Sequence, residues 1–307
     1  MSRALLIANP ASSQFTGGLH RSAIQALERH HEVDAAWPRN AAESRDLSNQ
    51  AASEGVDIVV AMGGDGVVHH VAQGLIGSSA ILGIVPVGTT NVLARILGAP
   101  SKPRRAVRVL AKGFDVARVP TLSVTGSSPT GEVRASALFA LGIGPDAIIV
   151  TKAEADPHRK IRFGSVHYLN TALATIARDL RKREPDVTIR SGDREIRCIG
   201  AMAQFHSAYT FFGRVPLSFG EPDPMTLLVL ERVRLRRLLK MLNAAIRTSR
   251  SLDDVKGISV WEHIDHFTAE APAPIEVQVD GELLPPMTSV EVTHRPDSLT
   301  VAVSPLH

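Results

Sequence analysis

Four short, largely apolar runs, "ALLIAN" (4–9), "EVDAAW" (32–37), "VDIVVAM" (56–62) and "ILGIVPV" (81–87), alternate with helix-length stretches at roughly 18–30, 41–54, 67–76 and 91–98. Such alternation predicts a parallel sheet flanked by helices. One more helix-like stretch, "KPRRAVRVLAKG" (102–113), ends the series. The texture then turns to period-two strands: "ARVPTLSVT" (117–125), "EVRASALFAL" (132–141), "MTLLVLERV" (225–233), "IEVQV" (275–279) and "SVEVT" (289–293). This predicts a second, mostly antiparallel domain. We place the boundary near Asp115, with an α/β domain over residues 1–115 and a β-rich domain over 116–307. A return of the last strand to the first domain stays open.

Composition narrows the function classes. At 307 residues, 44% hydrophobic and 21% charged, the chain has the make-up of a soluble globular protein of about two domains. Its single cysteine, Cys198, cannot form an internal disulfide and lacks zinc-ligand spacing around it, which fits a reducing cytoplasm. The opening "MSRALLIANP" holds too short an apolar run for a signal peptide, and far less than the ~20 residues that span a bilayer. Any membrane contact is therefore expected at the surface. A net charge of +3 and 4% aromatics leave no case for a nucleic-acid partner.

The third apolar run ends in "AMGGDGVVHH" (61–70). A buried strand stops at Met62, the chain turns through Gly63, Gly64, Asp65 and Gly66, and a helix is expected from near Val67. Unpaired amides at a helix start, beside a loop without side chains, make an anion site in which each charge interaction is worth about 0.3–1 kcal/mol. The spacing is neither that of the dinucleotide fingerprint nor that of the P-loop. Taken alone, the four residues could equally be a plain turn. The fourth run also ends in a glycine loop, "GTTNVLARILG" (88–98). Thr89, Thr90 and Asn91 could be helix N-caps. Together, however, the two loops reach the same carboxyl edge of a parallel sheet, where such sheets bind ligands, and they point to a nucleotide.

"GGDGVVHHVAQGL" (63–75) followed by "GIVPVGTTNVLAR" (83–95) resembles the paired signatures of the diacylglycerol kinase catalytic-domain family, which comprises soluble bacterial lipid kinases and their sphingosine and ceramide kinase relatives. The resemblance extends to "IANPASSQFTGG" (7–18), "FALGIGPDAIIV" (139–150), "FFGRVPLSFGEPDPM" (211–225) and "VDGE" (279–282). It implies an NAD kinase/diacylglycerol kinase-like α/β domain followed by a mostly antiparallel β-sandwich. It also implies an ATP- and Mg²⁺-dependent transfer of the γ-phosphate to a hydroxyl of diacylglycerol or a related lipid, in a cleft between the domains. ATP would be held by Asn9, Pro10, Gly63, Gly64, Asp65, Gly66, Gly88, Thr89 and Asn91, with Asp65 orienting the nucleotide and its metal.

"IEVQVDGELL" reads by itself as a hairpin turning on Asp-Gly. The resemblance adds that Asp280 is the general base and Glu282 its support, with the two roles exchangeable. Phosphoryl transfer rests chiefly on positioning and charge neutralisation, so such a base helps only modestly. A structural Mg²⁺ is implied at Asp223, with carbonyls from Gly220 and Met225; read from residues alone, Asp223 is a turn residue.

The chain departs from the family wording at several positions. Val67 replaces a threonine, His69 and His70 an Asn-Glu pair, Pro224 a glycine, and Trp37 falls near an expected nucleotide-contacting threonine. Each lost hydroxyl removes a hydrogen bond worth about 0.5–1.5 kcal/mol. Adjacent histidines on a helix diverge by about 100°, which makes His69 and His70 poor chelators. These departures keep a non-catalytic nucleotide- or lipid-binding homologue in play. An NAD kinase relative is the other alternative, disfavoured because "PVGTTNVLAR" stands where that family carries a Gly-Phe-Leu-type segment. The stretch at 232–250 has seven basic residues, no acids and a leucine face. It suits either packing on the second domain or peripheral contact with an anionic inner membrane face. Residues 158–168 carry similar charge. A homodimer is also left open.

Overall fold

A computed structural model describes residues 2–154, 175, 183–232 and 255–305. The basic stretch at 158–168, and that at 232–250 beyond Arg232, lie outside the described residues. The chain forms two compact units, Met1–Thr121 with Pro296–His307, and Leu122–Arg295.

The first unit is built on strands β1 (Ser2–Ala8), β2 (His31–Ala36), β3 (Ile58–Gly63) and β4 (Ile81–Pro86). They pair in parallel in the order β2-β1-β3-β4. Parallel strands need crossovers, and these are helices α1 (Gly17–Leu27), α2 (Ala41–Ser53) and α3 (Asp65–Gln73). Two more helices, α4 (Val92–Ile96) and α5 (Pro103–Lys112), follow β4. Alternation on β3 explains its apolar run. Ile58, Val60 and Met62 join a core with Leu19, Leu27 and Leu110 of α1 and α5, while Val59 and Ala61 face the other way and are equally buried. With both faces covered, no position on β3 tolerates a polar side chain. Side chains close the helix starts: Thr16 Oγ1 accepts from the Leu19 amide at 3.1 Å, and Asn40 Oδ1 from the Glu43 amide at 2.9 Å.

The second unit is antiparallel and strand-rich. Its strands are β5 (Asp115–Ser128), β6 (Gly131–Ala137), β7 (Ala140–Ile143), β8 (Val187–Ser191), β9 (Arg194–Cys198), β10 (Gly200–Gln204), β11 (Thr210–Phe212), β12 (Val215–Leu217), β13 (Thr226–Leu230), β14 (Ile258–Trp261), β15 (His266–Val279) and β16 (Glu282–Val303). Helix α6 (Pro145–Glu154) follows β7. The order β14-β13-β10-β7-β15-β16 forms the main sheet, β8 and β9 extend from β15, and β5 with β6 pairs onto β16. β11 and β12 make a separate two-stranded sheet. The β15–β16 register slips between Glu270 and Ile275, where Pro272 and Pro274 cannot donate to the ladder. The core of this unit gathers Phe267, Leu141, Val277, Met287 and Val292, all essentially fully buried.

Two strands run on between the units. β5 begins in the first and continues in the second, and β16 does the reverse, its far end pairing in parallel with β4 through Val301 and Leu82. Among the described residues no helix is long and apolar enough to cross a membrane.

Candidate functional site

Three loops meet at the carboxyl edge of the first unit's sheet. The loop after β1 starts with Asn9, whose amide donates to Met62 O and whose Oδ1 accepts from the Ala11 amide at 2.9 Å, folding the chain tightly through Pro10. Further along, the Gln14 amide donates to Val87 O at 2.9 Å and its side-chain Nε2 to Gly88 O at 3.0 Å. The first loop is thereby tied to the third.

The second loop turns from β3 into α3. The helix begins at Asp65, two residues earlier than expected, and its N-cap Gly64 supplies no side-chain hydrogen bond to the first turn. Val67 explains Gly63: a Cβ there would collide with the Val67 side chain. Gly64 lies against Gly88, where a Cβ would stand 2.5 Å from Gly64 Cα. A side chain on Gly88 would drive the two backbones apart, and one on Gly64 would press on Gly88 Cα at 3.3 Å.

The third loop is closed by Asn91, whose Oδ1 accepts from the Gly88 amide at 3.0 Å while its Nδ2 donates to Gly88 O at 2.8 Å. Asn91 is left-handed, with φ 51°, and gives α4 no side-chain cap. Asp65 caps that helix from across the gap: its Oδ1 accepts from the Val92 amide at 2.6 Å. The alternative of Thr89, Thr90 or Asn91 as side-chain N-cap therefore gives way to a carboxylate 27 residues upstream, which also favours the helix start electrostatically. Thr89 is exposed and Thr90 half-buried. Arg95, one turn into α4, is partly buried; that burial pushes its guanidinium below the usual value, and the Asp65 carboxylate opposes the shift. Asp65 is thus a brace between loops, and it places an oxygen donor of the kind Mg²⁺ prefers beside them.

In the second unit, Asp280 and Gly281 form the two-residue turn between β15 and β16, both at positive φ (56° and 86°), with Val279 opposite Glu282. Asp280 is 5% exposed. Its Oδ1 accepts from the amides of Phe139 and Ala140 at 2.9 and 3.0 Å, and its Oδ2 from Leu138 at 2.7 Å. This carboxylate anchors the entry to β7. Glu282, on the far side of the turn, is half-buried.

Behind the turn lies a buried polar network that the sequence did not single out. Asp146, near the start of α6, accepts on Oδ2 from the Tyr209 hydroxyl at 2.6 Å and from Gln278 Nε2 at 2.7 Å, and Gln278 Oε1 accepts from the Gly281 amide at 2.8 Å. Gly142 leaves room for it, since a Cβ there would strike the Asp146 carboxyl. Asp146 fell within the "GIGPDA" segment, but its partners are 63 and 132 residues away and only the fold unites them. Burial pushes the Asp146 carboxyl above its ordinary value of 3.8, and the two donated hydrogen bonds only partly offset this. Burial likewise raises the Tyr209 hydroxyl, which stays protonated as donor. A raised native value means that the stability Asp146 contributes is full below the ordinary value and is lost as pH rises through the native one. Asp146→Asn keeps a neutral acceptor for both donors, so its stability should fall less with rising pH. Urea midpoints over a pH series will show it, and parallel curves for variant and wild type would refute it.

The implied metal set at Gly220, Asp223 and Met225 does not fit a dedicated cage. Asp223 is exposed, Gly220 O already accepts from Gln204 Nε2 at 3.1 Å, and Met225 O from the Ile264 amide at 3.1 Å. One solvated carboxylate and two carbonyls that already accept hydrogen bonds would hold Mg²⁺ only with waters completing its six oxygens. Among the described residues no cluster of three or more His, Cys, Asp or Glu side chains could hold a metal. His69 is buried and meets His70 edge to face at 5.0 Å between ring centres, as a packing pair does.

Comparison with known proteins bears on the fold and then on the family. A crystal structure of a diacylglycerol kinase from Bacillus anthracis superposes with a TM-score of 0.70 over 99% of this chain and 97% of that one, at 18% identity. Yeast NADH kinase complexed with NADH superposes at 0.54 over 99% and 84%, at 10% identity. At these identities the likeness shows the fold, an α/β unit of the NAD kinase and diacylglycerol kinase type followed by an antiparallel strand-rich unit. Residues 3–119 match the family model of the diacylglycerol kinase catalytic domain. A diacylglycerol kinase of Mycobacterium tuberculosis is 36% identical over 113 residues, which cover 35% of this chain and 36% of that protein. The matched stretch is thus about a third of the relative's length. Over residues 3–119 the chain is thus similar to the diacylglycerol kinase catalytic domain.

Proposed function

We propose that the protein is an ATP-dependent lipid kinase that phosphorylates a hydroxyl of diacylglycerol or a related amphiphile. The observation that carries this reading is the backbone contact of Gly64 with Gly88, which joins two strand-to-helix turns into one glycine-lined cradle at the start of α3. Amides there suit the triphosphate, and Asn9, Gln14 and Asn91 act by holding the three loops in register. Asp65 would hold the nucleotide's Mg²⁺, whose chemistry is to offset negative charge on the phosphate oxygens. The hairpin supplies the proton acceptor. Asp280 is committed to three amides, so of the exchangeable pair Glu282 takes the proton from the attacking hydroxyl and Asp280 holds the turn.

Incubating the purified chain with γ-labelled ATP, Mg²⁺ and separately diacylglycerol vesicles, sphingosine or NAD should label a lipid. Label on NAD alone would instead make it an NAD kinase. ATP binding without transfer to any acceptor would make it a binding protein.

A further inference from the structure

Trp37 is the most exposed of the large apolar side chains among the described residues, at 57% of its surface. A solitary exposed indole is ordinary. This one is held in place: its Nε1–H donates to His20 Nε2 at 3.0 Å, and its ring meets those of His20 and Phe15 edge to face, with centres 5.2 and 6.4 Å apart. Burial pushes the His20 imidazole below its ordinary value, with Arg21 adding to the shift, so the ring stays neutral and keeps an acceptor for the indole. With its N–H edge turned to His20, Trp37 offers ring surface to solvent in a defined orientation.

The sheet register tells where that surface lies. Ala36 pairs with Ile7, which sets Trp37 level with Ala8; Ala8 pairs with Met62, and Met62 with Val85. Trp37 therefore stands just past the end of β2, in the row from which the three loops spring. It lies one strand beyond the Asn9 loop and two beyond the Gly63–Gly64 turn. At about 4.8 Å per strand this is roughly 10 Å from the amides at the start of α3. A ribose and its phosphates bridge a base and a terminal phosphate over such a span. Phe15, which steadies the indole, belongs to the same loop that Gln14 ties to Gly88.

Building on the nucleotide reading above, we propose that Trp37 is the base platform of the nucleotide site, stacking a purine on its exposed face. An exposed π-face accepts a base by stacking, and the gain grows with the area of the base. Purines are therefore favoured over pyrimidines.

The test compares ATP with inorganic tripolyphosphate, which lacks a base, by calorimetric titration of the full chain. Trp37→Ala should bind ATP roughly 5- to 150-fold more weakly, the span of base–aromatic stacking, and tripolyphosphate as wild type does. Trp37→Phe should recover most of the ATP affinity. Unchanged tripolyphosphate binding also certifies that the variants are folded. Equal ATP affinity in wild type and Trp37→Ala would overturn the platform and leave the phosphate cradle standing. Wild type that binds neither ligand would overturn both readings.

Discussion

Replacing Gly88 with valine is expected to weaken ATP binding by about 100-fold. The Cβ would stand 2.5 Å from Gly64 Cα and 2.8 Å from Asn91 Oδ1, and the first of these neighbours is backbone that cannot swing aside. The two loops must part, which also stretches the paired hydrogen bonds between Asn91 and Gly88. Losing two hydrogen bonds from the loop amides to charged phosphate oxygens, at about 1.5 kcal/mol each, accounts for a drop in affinity of this size. Overpacking costs a further ~1–3 kcal/mol of stability in the first unit. Calorimetric ATP titration and a thermal melt measure the two effects separately. An ATP affinity within threefold of wild type would show that the cradle does not hold the nucleotide.

The second large effect separates the two acids of the hairpin. Glu282→Gln should lower kcat by about 10²-fold, the low end of a proton acceptor's worth because positioning carries most of phosphoryl transfer, with KM for ATP unchanged. Asp280→Asn should act first on stability. One oxygen becomes an NH₂ group that opposes at least one of the amides of Leu138, Phe139 and Ala140, leaving a buried donor unsatisfied at about 1–3 kcal/mol. A steady-state assay beside a urea titration of each variant decides the matter. If Glu282→Gln turns over like wild type while Asp280→Asn keeps its midpoint and loses activity, the assignments exchange.

The first unit was legible because its physics is local. A strand covered on both faces must be apolar throughout, and a strand-to-helix turn that meets another backbone must be glycine, so β3, β4 and the loops after them are written in residue types. The alternation predicted β1 to β4 and α1 to α5 in their observed order. The second unit was less open to reading. β8 and β9 are short strands of mixed polarity around Gly192, and β11 and β12 are three residues each, too brief for a period to emerge. Among the candidate site residues, the glycine turns and the Asp280–Gly281 hairpin turn were legible from residue type, while the roles in binding and proton transfer came from the resemblance. What each side chain holds depends on partners far along the chain: Asp65 reaches Val92, Asp280 reaches back to residues 138–140, and Asp146 finds Tyr209 and Gln278. Such pairings have no local signature, and the capping role of Asp65 and the anchoring role of Asp280 went unread for that reason.

The end of β16 beside β4 bears on how the protein is made. Leu82 and Val301 are more than two hundred residues apart, and both are fully buried. While the chain is still emerging from the ribosome, β4 can zip against β3 at once, but its other edge stays open until residues 296–303 arrive. An unpaired apolar strand edge invites the wrong neighbour. Synthesis therefore passes through a long interval in which β3, β4 and the two glycine turns after them are complete in sequence yet unsealed, and a chaperone that shields that edge would raise the yield of native protein.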